Sequence, residues 1–78
     1  MRMKLARIKK IGNRIAEKYR MPHIIAERYH FTDGRPYVEV RSELTLDEGG
    51  NEFIDAIWEK LRYYVQAMGG CVYRVYQG

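Results

Sequence analysis

Four cations, Arg7, Lys10, Arg14 and Lys18, follow one another at steps of three and four residues. On a helix that spacing gathers them on one face. A row of guanidinium and ammonium groups suits contact with phosphates, where each neutralised charge releases counterions. A solvated helix back also carries charge, but not nearly all of one sign. Like charges at helical spacing repel by about a few tenths of a kcal/mol per pair, so the row is held at some cost. Residues 1–20 carry eight basic side chains against one acidic, a net +7, whereas residues 21–78 carry six against nine, a net −3. This asymmetry predicts that one end of the chain meets something anionic. A membrane surface is the poorer candidate, because the apolar side of this segment has no Trp or Phe and is needed for a core.

A second group sits on alternating positions further on. Tyr37 and Arg41 share one side of their strand, and Arg74 with Tyr76 repeats the pairing near the end. Exposed aromatics among arginines stack on bases or anchor protein interfaces. Ordinary cross-strand pairing uses the same residues. Seven tyrosines in 78 residues exceed what the core can take, so some are expected at an interface.

The remaining reactive side chains point away from catalysis. Glu52, Asp55 and Glu59, with Asp47 and Glu48 before them, would need convergent groups from elsewhere to hold a metal or exchange protons. Negative charge near a helix N-terminus is favourable by itself. His23, His30 and Cys71 fit no structural zinc spacing. Gly49-Gly50 and Gly69-Gly70 lack the spacing and lysine of a phosphate-cradling loop. The sequence predicts no metal, no cofactor and no enzyme.

The elements that must position these groups follow from periodicity. Leu5, Ile8, Ile11, Ile15 and Tyr19 form an apolar stripe, with Gly12 and Ala16 beside it, predicting a helix over about 4–20. Gly12 inside it predicts a close contact or a slight break. Met21-Pro22 ends the element. A period of two then predicts a hairpin over about 23–46, turning at Asp33-Gly34. Two registers fit it: a two-residue turn sets Arg28 opposite Glu39 with His30 opposite Tyr37, and a three-residue turn sets Glu27 opposite Arg41 with Phe31 opposite Tyr37 and Ile24 opposite Leu44. The second buries the better apolar pair. Phe53, Ile54, Ile57, Trp58, Leu61, Tyr64, Val65 and Met68 predict a long amphipathic helix over about 51–68, capped by Asn51 and ended by Gly69-Gly70. A last short strand, about 71–76, completes the order.

The resulting expectation is an α+β domain, α-β-β-α-β, with both helices on one face of a three-stranded, mainly antiparallel sheet. The chain is the size of a single domain. One cysteine predicts a reducing compartment, and no apolar run approaches a membrane span, so a cytoplasmic location is expected. The favoured reading is a small non-enzymatic protein that docks on nucleic acid or a nucleoprotein complex, using Arg7, Lys10, Arg14 and Lys18 with supplementary contacts from Tyr37, Arg41 and Arg74. In length and element order the chain also resembles the small orphan α+β proteins of phages, archaeal viruses and mobile elements, anti-CRISPR proteins among them. That resemblance implies an inhibitor of a host protein complex, working in the host cytoplasm, and carries no residues over. An uncovered sheet face or edge adds the expectation of a homodimer.

Overall fold

The computed structural model of the chain describes residues 2–78. Helix α1 spans Leu5–Lys18 and buries Ile8, Ile11, Gly12, Ile15 and Ala16, with Leu5 and Tyr19 half-buried at its ends. The predicted stripe is the buried one. Arg20 takes a left-handed conformation, and Met21 N–H donates to Ala16 O at 2.8 Å, closing the helix before Pro22. Gly12 stays helical and serves close packing. A Cβ there would run into Ile24 Cδ1 and lie 3.3 Å from Phe53 Cε1.

Strand β1 (Ile25–His30) pairs antiparallel with β2 (Pro36–Arg41). Asn13 Oδ1 accepts from Ile24 N–H at 2.8 Å, fastening the start of β1 to the middle of α1. Neither expected register is the observed one: Tyr29 faces Tyr37 and Glu27 faces Glu39. The cause is the turn. Gly34 N–H donates to Phe31 O and Phe31 N–H to Arg35 O, with Gly34 at φ +87°, so the loop has the three residues of the favoured expectation but is Thr32 to Gly34, one position earlier. Asp33 then accepts from the backbone and side chain of Arg35 at 3.0 and 2.8 Å. Strand β2 is shorter than expected. Ser42 bends the chain, donating through N–H and Oγ to Cys71 O and accepting from Leu44 N–H. Leu44 is buried and Leu46 is exposed.

Helix α2 spans Asn51–Leu61. Its entry also departs from expectation. Thr45, not Asn51, is the capping side chain, accepting from Glu48 N–H, and a wide turn over Leu46–Gly50 leads into the helix. The Thr45 hydroxyl therefore acts as a cap despite the glycines that follow. Gly50 is needed for closeness: a Cβ there would meet the Tyr73 hydroxyl and lie 2.7 Å from Thr45 O.

The predicted long helix stops seven residues early. Arg62 is left-handed at φ +58° and donates to Trp58 O. Residues Tyr64–Gly69 form a strand, β3, which turns through Gly70-Cys71 into β4 (Val72–Tyr76). Tyr64, Val65 and Met68 continue the helical stripe by spacing alone, whereas on the strand Tyr64 and Val65 point to opposite faces. Tyr64 and Val65, aromatic and β-branched, favour the strand once β4 can pair with it. Both loop residues have positive φ, Gly70 +60° and Cys71 +62°, as a tight two-residue hairpin requires. The sheet thus has four strands, not three, all antiparallel, in the order β1-β2-β4-β3.

One face of this sheet feeds the core. Ala26, Val38, Val40, Tyr73 and Val75 join Ile8, Ile11 and Ile15 of α1 and Phe53 and Ile57 of α2 in a single buried cluster. Phe53 packs edge-on against Tyr73, ring centroids 5.8 Å apart. Val38, Val40, Ile57 and Val75 are fully excluded from solvent, each stabilising the fold by roughly 1.5–3 kcal/mol relative to exposure. The Tyr73 hydroxyl donates to Leu44 O, tying β4 to the segment that precedes α2. No helix among the described residues is long and apolar enough to cross a membrane.

Candidate functional site

The basic side chains of α1 line a groove. Arg7, Lys10, Arg14 and Lys18 form one wall, and Glu52, Ala56 and Lys60 of α2 form the other. Ile11 and Ile15 complete the lining. The cavity measures about 390 Å³. Five cations face a single carboxylate. The helix period sets the first wall, and the four-residue steps Glu52, Ala56, Lys60 set the second.

The charges are unequally free. Lys18 Nζ lies 3.1 Å from both oxygens of Glu52, whose Oε1 also accepts from the Tyr19 hydroxyl at 3.0 Å. The hydrogen bond from Lys18, with that from Tyr19, holds the Glu52 carboxyl below its usual range. The same bonds raise the Lys18 ammonium and the Tyr19 phenol above theirs. Near neutrality Lys18 and Glu52 are therefore both charged and satisfied by one another. Arg7, Lys10, Arg14 and Lys60 make no ion pair among the described residues. All four are exposed, so their charge is available along the groove.

The other expected contacts lie elsewhere. Tyr37, Arg41 and Arg74 do not line this groove. By strand alternation they occupy the sheet face that carries none of the core. Tyr37 faces Tyr76 across β2 and β4, and the Arg74 guanidinium sits 5.0 Å above the Tyr37 ring. Arg41 is engaged by Glu39 at 3.1 Å. Sequence reasoning missed Lys60, although its four-residue step from Ala56 was visible. It also missed Tyr29 and Tyr64 on the sheet, whose alignment with Tyr37 depends on a register only the fold supplies.

The carboxylates are spread out. Glu52 turns to α1 while Asp55 and Glu59 face solvent, and no three His, Cys, Asp or Glu side chains converge among the described residues. His23 pairs with Glu17 at 2.7 Å, His30 is exposed opposite Pro36, and Cys71 is half-buried in its turn. No family model, no curated protein and no solved structure matches this chain.

Proposed function

We propose that the chain is a binding protein, not a catalyst, and that it docks on nucleic acid or a nucleoprotein complex through the groove between α1 and α2. One observation carries this reading. Arg7, Lys10 and Arg14 line a common concave surface, and none of the three has a carboxylate in ion-pair contact among the described residues. Intramolecular salt bridges to the acidic segment would have cancelled them; only Lys18 is so engaged. The reading sets both helices over the sheet face that bears Val38, Val40 and Val75, with the groove turned outward. A polyanion lying along α1 then meets three free cations, and Lys60 approaches from the far side.

Binding to RNA and DNA across a salt series tests it. Neutralising three phosphates gives a slope of about −2 to −3 in log affinity against log salt. The double variant Lys10→Glu/Arg14→Glu is expected to abolish duplex binding with the circular dichroism spectrum unchanged. Wild-type protein that shows no salt-sensitive binding to either polymer defeats the proposal. A protein partner retained after nuclease digestion would instead favour the inhibitor-like alternative.

A further inference from the structure

Four tyrosines stand side by side across all four strands. The register sets Tyr29 opposite Tyr37, Tyr37 opposite Tyr76 and Tyr76 opposite Tyr64. Ring centroids are 5.8 Å apart between Tyr29 and Tyr37 and again between Tyr64 and Tyr76, with interplanar angles of 25° and 28°. Phe31 spans the middle step, 4.4 Å from Tyr37 and 6.2 Å from Tyr76. Trp58, one turn before the end of α2, continues the row past the sheet edge at β3, 5.2 Å from Tyr64. At the ends, Tyr29 and Trp58 each have a ring neighbour on one side only, and they are 39% and 41% exposed.

Guanidinium groups are interleaved with these rings. Arg74 lies 5.0 Å from the Tyr37 centroid, Arg35 5.4 Å from Phe31 and Arg62 5.2 Å from Trp58. Arg62 and Arg74 make no ion pair among the described residues. Arg74 Nε is moreover buried with no hydrogen-bond acceptor, a donor left unsatisfied beside the aromatic row. The carboxylates of this face are Glu27 and Glu39, and Glu39 is already held by Arg41.

We infer that this face seats an unpaired nucleic-acid strand, with bases stacking on the terminal rings and phosphates meeting Arg62 and Arg74. The inference rests on the nucleic-acid reading above and narrows its ligand to single strands. Stacking needs a base whose face is free, which a duplex withholds inside its own stack. Aromatic rings alternating with guanidinium groups bind such bases without regard to sequence. A second copy of the chain fits less well, because two such faces would oppose their free arginines.

The test compares four probes: short oligo(dT), oligo(U), a blunt duplex with the same number of phosphates, and inorganic polyphosphate. Trp58 is the only tryptophan, so its fluorescence reports on the row. Single strands are expected to quench it and to bind about tenfold more tightly than the duplex, while polyphosphate leaves it unchanged. Tyr29→Ser/Trp58→Ser, followed by anisotropy of a labelled strand, is expected to lose roughly tenfold in single-strand affinity per ring removed with polyphosphate binding intact. The groove variant Lys10→Glu/Arg14→Glu is expected to lose polyphosphate and duplex binding yet keep Trp58 quenching by single strands at low salt. Equal affinity for strand and duplex with no quenching overturns the stacking face and leaves the groove standing. Absence of binding to every polyanion overturns both. Sedimentation showing that self-association shields Trp58 from quenching also overturns the stacking face.

Discussion

Lys18 and Glu52 join the end of one helix to the start of the other, the ammonium 3.1 Å from both carboxylate oxygens. Glu52 also lies in the first turn of α2, where negative charge is favourable. The Glu52 carboxyl is lowered from its ordinary 4.5 and Lys18 is raised from its ordinary 10.5. A depressed carboxyl stabilises the fold above its ordinary value and loses that contribution as pH falls through the folded-state value. A raised ammonium contributes below its ordinary value and loses it as pH rises through the folded-state one. The link therefore operates between those limits. The stability difference between wild type and Glu52→Gln in urea titrations is expected to be present at neutral pH and to shrink in acid below 4.5. A difference unchanged across that range would remove the assignment.

The same substitution has a consequence for binding. Glu52 is the single carboxylate lining the basic groove, and its loss frees Lys18. Glu52→Gln is expected to tighten polyanion binding severalfold at low salt and to steepen its salt dependence. Fluorescence anisotropy with a labelled oligonucleotide measures both. Weaker binding by this variant would place the anion elsewhere.

Tyr73 and Leu44 give a sharper stability test. The phenol donates to the Leu44 carbonyl, and both residues are almost wholly buried. Tyr73→Phe leaves that carbonyl unpaired, at a cost of about 1–3 kcal/mol, to be read from the denaturant midpoint. Burial also raises the Tyr73 phenol above its ordinary 10.0. Folded protein therefore resists ionisation that the unfolded chain undergoes, and stability falls as pH rises above that value. The phenylalanine variant is expected to show a smaller alkaline loss.

Gly50 has helical dihedrals, φ −64° and ψ −49°. By propensity alone, alanine there would gain about 1 kcal/mol. Contact with Thr45 O at 2.7 Å and with the Tyr73 hydroxyl reverses the sign, since Thr45 O is backbone and has little room to retreat. Gly50→Ala is expected to destabilise the protein by about 1–3 kcal/mol, measured by thermal or chemical denaturation.

Helix α1 could be read from sequence because its stripe obeys one period over four turns and a Met-Pro stop follows. The segment from Tyr64 to Gly69 could not, because its apolar spacing continues the helical stripe of α2. Only pairing with β4 overrides that spacing. Gly69-Gly70 was ambiguous for the same reason, ending a helix or opening a hairpin equally well. The basic wall of the groove was legible in α1 alone, whereas Lys60 joins it only when α2 packs alongside. The tyrosine row required a register, and that depended on which three residues closed the loop, Thr32 to Gly34 rather than Asp33 to Arg35.

The hairpin between β3 and β4 turns on a cysteine that its backbone would not choose. Cys71 sits at φ +62°, where any residue with a side-chain carbon is disfavoured by roughly 1–2 kcal/mol. Cys71→Gly would relieve that penalty, partly offset by the greater freedom of glycine in the unfolded chain. A net gain of about 1 kcal/mol is the expected result in urea titrations. Residues 64–76 thus hold an untapped margin: one atom group at the tip of a loop taxes the whole distal half of the sheet, and the fold persists in spite of it.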